Sequence, residues 1–548
     1  MVSDTMEEPM TQEWPGWPAQ DARRYRDKGY WEGRTLGGRL RDWAALYAER
    51  TAVVDGDRRW TYAELDRHVD ALVAGLLRLG LERGDRVVVQ LPNVAEFVHV
   101  WFALLRIGAI PVHALPGHRR AEIVHLVEAS EAVAYIVPDR YQRFDYRALA
   151  ADIRADGDCA CLAHVIVAGE AGPYTSLTDL VVPDAPAHED PAIEAGDLAI
   201  LLLSGGTTGA PKLIPRTHDD YAYNARAGAE ACALDADSVY LAILPIAFNF
   251  TLACPGVLGT LLVGGTVVLA PSPSPVTAFT LIARERVTIT AINPPLVPHW
   301  FDEYAASAPD LSSLRILQVG SARLADDVAR RVEPTLGVRL QQVFGMAEGL
   351  LNYTRLDDPR ALITTTQGRP SSPDDEIRVV DESGAPVPDG QPGELLTRGP
   401  YTLRGYYRAP EHNAVAFTAD GFYRTGDLVR RLPSGHLIVV GRVKDQINRG
   451  GEKIVATEVE GHLLAHPDIS AAALVGLADE QWGERPVAFL VYRDADTSLT
   501  VRALAAFLGE RGLAAYKAPQ EVIAVRAMPL TPVGKIDKKA LVASTTRR

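Results

Sequence analysis

Apolar and polar positions along this chain follow two periods. Short apolar runs at residues 51–55, 86–91, 132–137, 164–167 and 198–203 have strand length, and stretches with apolar residues three and four apart lie between several of them. After a polar start, residues 25–31 and the stretch to residue 50 read as a helical entry that packs rather than reacts. Thr61 followed by Glu64 is a capping box, opening a helix whose apolar face carries Leu65, Val69, Leu72, Val73, Leu76 and Leu77 and which Gly80 closes. Residues 170–196, rich in Pro, Asp, Glu and Ala, predict a surface excursion without chemistry.

The alternation continues with a helix from Asp219, a strand over 239–243, a helix after Pro255, and strands over 266–269, 287–292, 314–319 and 338–343. Strand and helix in turn predict parallel sheet covered by helices. From Glu376 strands and tight turns take over, and the segments ESGAPVPDGQPGE and RLPSGH are hairpin punctuation, so 376–441 predicts a β-rich part. Residues 445–548 read as a separate small α/β domain, with a helix from Thr457, strands at 471–475 and 487–492 and a helix after Thr500. The charged, glycine-bearing GRVKDQINRGGEK has the composition of a hinge. The expected fold class is α/β: a large N-terminal domain over 1–441 with helix-covered, mostly parallel sheets and a β-rich subdomain, then a small mobile C-terminal domain.

Composition narrows the partners. A length of 548 residues exceeds one compact core, and a net charge of −14 without a basic stripe argues against nucleic acid. Cys159, Cys161, Cys232 and Cys254 lack metal-ligand spacing, which points to a reducing compartment, with Cys159 and Cys161 expected as loop residues. The N-terminus is acidic and polar, unlike a signal or transit peptide, and no stretch is apolar enough to span a membrane. A cytoplasmic protein without a membrane partner is expected.

The chemistry centres on residues 201–218, LLLSGGTTGAPKLIPRTH. Ser204, Gly205, Gly206, Thr207, Thr208 and Gly209 make a loop of small residues whose N–H groups and hydroxyls can approach phosphate oxygens, and Lys212 adds a positive charge. A P-loop needs Lys directly after its second Gly; here Ala210 and Pro211 intervene.

The run instead resembles the phosphate loop of the adenylate-forming enzymes, which include acyl-CoA synthetases, luciferases and the adenylation domains of non-ribosomal peptide synthetases. Further motifs follow in that family's order over nearly the whole chain. QQVFGMAEG, residues 341–349, resembles the adenine and metal segment, which implies that Phe344 stacks on the base beside Gly345 and that Glu348 ligates magnesium. YRTGDL resembles the segment whose Asp, here Asp427, holds the ribose hydroxyls, a task suited to two carboxylate oxygens. The resemblance likewise implies a ribose or phosphate contact for Arg442, the hinge for Lys444, and, in PVGKIDK, a contact of Lys535 with the substrate carboxylate. It implies ATP and Mg2+ as cofactors and two half-reactions. The carboxylate first attacks the α-phosphorus and releases pyrophosphate; a thiol then attacks the adenylate after the C-terminal domain has swung and withdrawn Lys535.

The acid is a question for PIAFNFTLACPG, residues 245–256, where amino-acid-activating relatives carry an Asp and this chain has Asn249. With WPAQDARRYRDKGYW and QVFGMAEGLLNYT, the stretch resembles the stand-alone aryl-acid ligases of siderophore and aryl-capped peptide pathways, which activate 2,3-dihydroxybenzoate or salicylate. That resemblance implies that Asn249 bonds the ortho hydroxyl and Phe250 stacks on the ring. Gly320, Ser321 and Val343 would line the rest, with Gly320 and Ser321 also facing the nucleotide. Cys254 stands where dihydroxybenzoate enzymes carry Ser, which suggests salicylate. Phe248 replaces a usual His, which leaves the thiol channel and an unusual ring substituent open. The expected acceptor is the phosphopantetheine of a holo aryl carrier protein, a separate chain since thirteen residues follow Lys535, or coenzyme A. A benzoate-type aryl-CoA ligase, a 2,3-dihydroxybenzoate or 3-hydroxypicolinate ligase, and a degenerate nucleotide sensor are the alternatives; intact Lys212, Glu348, Asp427 and Lys535 argue against the last.

Overall fold

Strict alternation of buried side chains along the strands builds two back-to-back sheets around a shared apolar layer. The computed structural model describes residues 13–155, 157–188, 190–204, 211–449, 452–479, 481–494, 496–531 and 534–545. Among these, a nine-stranded sheet runs in the order Arg369–Pro370, Gly349–Tyr353, Arg339–Met346, Ile316–Val319, Ile289–Ile292, Val239–Ala242, Thr266–Leu269, Thr51–Asp55, Arg58–Thr61. Its inner pairs are parallel and its two margins antiparallel. A seven-stranded sheet places Leu213–Thr217, Leu198–Leu203, Ile110–His113, Arg86–Val89, Ala134–Pro138, His164–Ala168 and Thr175–Ser176 side by side. Val53, Val267 and Ile316 of one sheet and Val87, Ile136 and Ile200 of the other meet in one core, while their neighbours Val54, Val268 and Leu317, or Val88, Val137 and Leu201, face outer helices.

The Thr61 capping box is present: the hydroxyl accepts from Glu64 N at 3.2 Å and Thr61 N donates to Glu64 at 2.8 Å. The helix Tyr62–Leu79 ends on Gly80 at φ +98° and buries the expected face except Leu77, which is 40% exposed because it lies one step around the wheel from Leu76. Residues 170–196 are more than a surface excursion. Leu177 and Leu180 are buried, Val182 N donates to Ala71 O at 2.9 Å, and a Cβ on Gly75 would overlap the Leu180 carbonyl, so this segment covers the Tyr62–Leu79 helix. Residues 25–31 are not one helix: Ala19–Asp27 is helical and Gly29 at φ +71° turns the chain. Cys159 is buried in a 3-10 turn rather than set in a loop, whereas Cys161 is exposed.

The stretch after the glycine-rich loop is a strand, not the lead into a helix. Leu203 pairs with Leu213 in an antiparallel hairpin, Ser204 N donates to Lys212 O at 2.9 Å and Lys212 N to Ser204 Oγ at 3.0 Å. Gly205 to Gly209, the rest of the expected phosphate loop, lie outside the described residues. The helix His218–Ala231 follows, started one residue before the expected Asp219 by a Thr217–Asp220 capping box.

Glu376–Val380, Pro392–Arg398, Tyr423–Arg431 and Leu437–Arg442 form a four-stranded antiparallel sheet. Beyond it a five-stranded sheet with the helices Ala456–Leu463 and Val501–Glu510 has an apolar core made only of residues after 446. Glu521–Ala524, a parallel addition to it, and the helix Lys538–Thr545 were not expected from the pattern. No helix among the described residues is long and apolar enough to cross a membrane.

Candidate active site

Four neighbouring parallel strands of the large sheet release their chains at the same edge, the carboxyl ends where open α/β sheets place ligands. Arg339–Met346 leads to Glu348, Ile316–Val319 to Gly320 and Ser321, Ile289–Ile292 to Asn293, and Val239–Ala242 to the turn before the short helix Asn249–Ala253. The aryl-pocket candidates, Phe344, Gly345 and Glu348 are thereby gathered at one edge.

The aryl-pocket candidates meet through close approaches. A Cβ on Gly320 would stand 2.8 Å from Phe250 Cζ and 2.9 Å from the Val343 carbonyl, so glycine lets the Phe250 ring lie on the sheet edge. Phe248, half-buried, sets its ring edge-on to Phe250 at 6.5 Å. Buried Asn249 accepts from the Tyr221 hydroxyl at 2.8 Å, and its amide nitrogen lies 3.4 Å from Cys254 Sγ, which donates to the Asn249 carbonyl at 3.4 Å. Burial pushes the Cys254 thiol up to about 12, so it is a neutral weak donor. Ser321 sits at φ +72° with a buried hydroxyl that meets no protein partner among the described residues.

Acidic and basic groups converge beside this pocket. Buried Glu348 accepts from the Tyr406 hydroxyl at 2.9 Å, Tyr406 bonds Tyr423 at 2.8 Å, and Leu403 N holds the Glu348 carbonyl at 2.8 Å. Burial raises the Glu348 carboxyl above its usual range, opposed by Tyr406 and by the charge of Arg442. Asp427 and Arg442 are partners across the antiparallel sheet, with Nε to Oδ1 at 2.8 Å. Burial raises Asp427 while Arg442 and Lys535 pull it down. Phe344 is half-buried and Gly345 exposed at the same strand end. Lys444, exposed in the 3-10 turn Val443–Asp445, follows directly on Arg442.

Lys535 reaches this cluster from the far end of the chain. Gly534 O accepts from Asn293 Nδ2 at 3.2 Å, and Lys535 N donates to Thr531 Oγ1 at 3.1 Å. Burial, and next the Arg442 guanidinium, lower its ammonium to about 8, against the opposing pull of Asp427 and Glu348. Tyr221, Asn293 and Tyr406 lie outside the motifs, and Tyr423 in YRTGDL and Arg216 in the 201–218 run lie within them without an assigned role; of the three outside, an Asn directly after a buried strand, as in ITAINPP, carries a local signal.

Comparison with known proteins identifies the family. Residues 40–407 match the family "AMP-binding enzyme" and residues 458–535 the "AMP-binding enzyme C-terminal domain". The chain is 54% identical over 525 residues to a 2,3-dihydroxybenzoate-AMP ligase of Bacillus subtilis, covering 96% of each protein. It is 50% identical over 530 residues to a salicyl-AMP ligase/salicyl-S-ArCP synthetase of Mycobacterium tuberculosis, covering 96% of this chain and 93% of that one. The apo structure of MbtA from Mycobacterium smegmatis superposes with a TM-score of 0.75 at 49% identity, over 97% of this chain and 98% of that one. On these matches the chain belongs to the AMP-binding enzyme family and is an adenylate-forming ligase.

Proposed function

We propose that this enzyme activates an aryl carboxylic acid, salicylate foremost, as its aryl-AMP with release of pyrophosphate, and then passes the aryl group to the phosphopantetheine thiol of a separate aryl carrier protein. The observation that carries the reading is the Asn249 site. A neutral amide, oriented by Tyr221 and flanked by the Phe250 ring on Gly320, offers a hydrogen bond to an ortho hydroxyl and a face for an aromatic ring, with no carboxylate for an ammonium. The names of the relatives, 2,3-dihydroxybenzoate- and salicyl-AMP ligase, support the class of acid, and "salicyl-S-ArCP synthetase" supports the carrier.

Assigned in this way, each group has one task. Attack of a carboxylate on the α-phosphorus joins two anions, so the site must offset repulsion and hold them in line. Lys535 and Lys212 supply positive charge, and Ser204 with the loop after it supplies donors to the phosphates. Asp427, fixed by Arg442, takes the ribose hydroxyls, and Phe344 with Gly345 takes the base. Glu348 suits magnesium: it is a buried carboxylate whose charged form burial disfavours until a cation is near, and its mapped partner is a hydroxyl. Bound there, the ion would offset phosphate charge and steady the pyrophosphate as it leaves. Residues 445–548 then swing about Lys444 and withdraw Lys535 before the thiol attacks.

Pyrophosphate exchange with a panel of aryl acids tests the reading. Salicylate-dependent exchange supports it; exchange with no aryl acid overturns it. Coenzyme A against a holo aryl carrier protein as acceptor separates the two thiols.

A further inference from the structure

Arg216 has no solvent exposure, and although it lies in the 201–218 run the motif gives it no role. A buried guanidinium is costly unless its charge and donors are met. Here Nε donates to Asp220 Oδ1 at 2.7 Å, and the other Asp220 oxygen is held by Thr217 N and Oγ1 at 2.9 Å and by Trp17 Nε1 at 3.2 Å. The remaining donors lead in two directions. One nitrogen donates to the carbonyl of Ala347, the residue before Glu348, at 3.0 Å. The other reaches Asn224 Oδ1 at 3.4 Å, and Asn224 Nδ2 donates at 2.7 Å to the carbonyl of Ala253, the residue before Cys254. The guanidinium also lies 4.9 Å from the centre of the Tyr221 ring, whose hydroxyl holds Asn249.

We propose that Arg216 is a positioning residue serving both substrates at once, fixing the Glu348 turn with one arm and the Asn249–Cys254 wall of the aryl pocket with the other. Its planar, divergent donors allow this, and a lysine, with one compact ammonium, cannot meet Ala347 and Asn224 together. The inference rests on the proposed roles of Glu348 and Asn249, so wild-type salicylate-dependent exchange is established first; its absence is the failure of that reading, not of this one.

The test compares Arg216→Lys with Tyr221→Phe. Salicylate binding is measured by calorimetry without nucleotide, and the magnesium half-saturation is measured for binding of a non-hydrolysable ATP analogue. Arg216→Lys is expected to weaken both by about tenfold, the scale of a lost hydrogen bond to a charged group. Tyr221→Phe, which removes only the hydroxyl that holds Asn249 and leaves the Ala347 contact intact, is expected to weaken salicylate binding by about fivefold to tenfold and to leave the magnesium dependence within about twofold. A folded Arg216→Lys enzyme in which neither constant, or only one, has moved overturns the proposal. Should that variant fail to fold, the neutral pair Arg216→Gln with Asp220→Asn removes charge and counter-charge together and carries the same two outcomes. Wild-type salicylate affinity in Tyr221→Phe overturns Asn249 as the aryl end of this chain of contacts.

Discussion

Asn293 and Gly534, which stand 241 residues apart, are joined by a 3.2 Å hydrogen bond from the Asn293 amide to the Gly534 carbonyl. Asn293 directly follows a central strand of the large sheet, and Gly534 immediately precedes Lys535, so this contact seats the lysine loop on the core. Gly534 has φ +75°, and a Cβ there would overlap the Asn293 amide nitrogen. The seat therefore accepts glycine alone. Gly534→Ala is expected to lower aryl-acid-dependent pyrophosphate exchange by about 10²-fold, the effect of misplacing a catalytic group by roughly an ångström. Thioesterification of supplied aryl-adenylate should survive. Undiminished exchange in this variant contradicts the seat's role.

Lys535→Ala removes the charge itself. Exchange should fall by roughly 10²- to 10³-fold, as when one preorganised electrostatic contact is lost from a transition state, while ATP still binds. The pH profile gives a second reading. With its ammonium lowered to about 8, Lys535 is charged below that pH and neutral above it, so kcat/KM for exchange should fall as pH rises through about 8. Lys535→Arg, charged throughout, should lose that basic limb. A limb that persists in the Arg variant belongs to another group.

Local signals were legible and long-range compensation was not. Thr61 with Glu64, or the alternation that splits Val53 from Val54, depends on neighbours in sequence, and the structure follows both. The nucleotide and aryl candidates can be read from the sequence because each lies in a short motif. Arg216 was missed because PRTH reads as polar, and what makes a buried strand of it is Asp220 on the next helix and the Ala347 carbonyl 131 residues away. Ile110–His113 was missed for a similar reason: a Pro sits in the strand, yet its parallel pairing with Arg86–Val89 is intact. Leu180 stands in a Pro- and Asp-rich stretch that reads as surface, and its burial depends on Gly75 in a helix 105 residues earlier.

Lys444 lies in a 3-10 turn, whose φ of about −50° to −70° a proline can adopt. Lys444→Pro should therefore leave pyrophosphate exchange largely intact in the arrangement that seats Lys535, and stop carrier loading, because the ring fixes the torsion about which residues 445–548 must turn. Single-turnover loading of a holo carrier domain measures this. Equal loss of both half-reactions removes Lys444 as the hinge.

Substrate choice between salicylate and 2,3-dihydroxybenzoate is expected to rest on Cys254. Its sulfur lies 3.4 Å from both the amide nitrogen and the carbonyl of Asn249, so it fills the space beside the group proposed to hold the ortho hydroxyl. A thiol is larger than a hydroxyl and a weak hydrogen-bond partner, and this one is held neutral by burial. A 3-hydroxyl set against it would be crowded and lose water without compensation, a cost of about 1–3 kcal/mol. That converts to a preference for salicylate of about tenfold to a hundredfold. Cys254→Ser returns both space and a competent partner, so relative kcat/KM for 2,3-dihydroxybenzoate should rise by about that factor, while salicylate, anchored through Asn249, changes less. An unchanged ratio, or a wild-type enzyme that already prefers the dihydroxy acid, makes Cys254 a packing residue behind Asn249 instead.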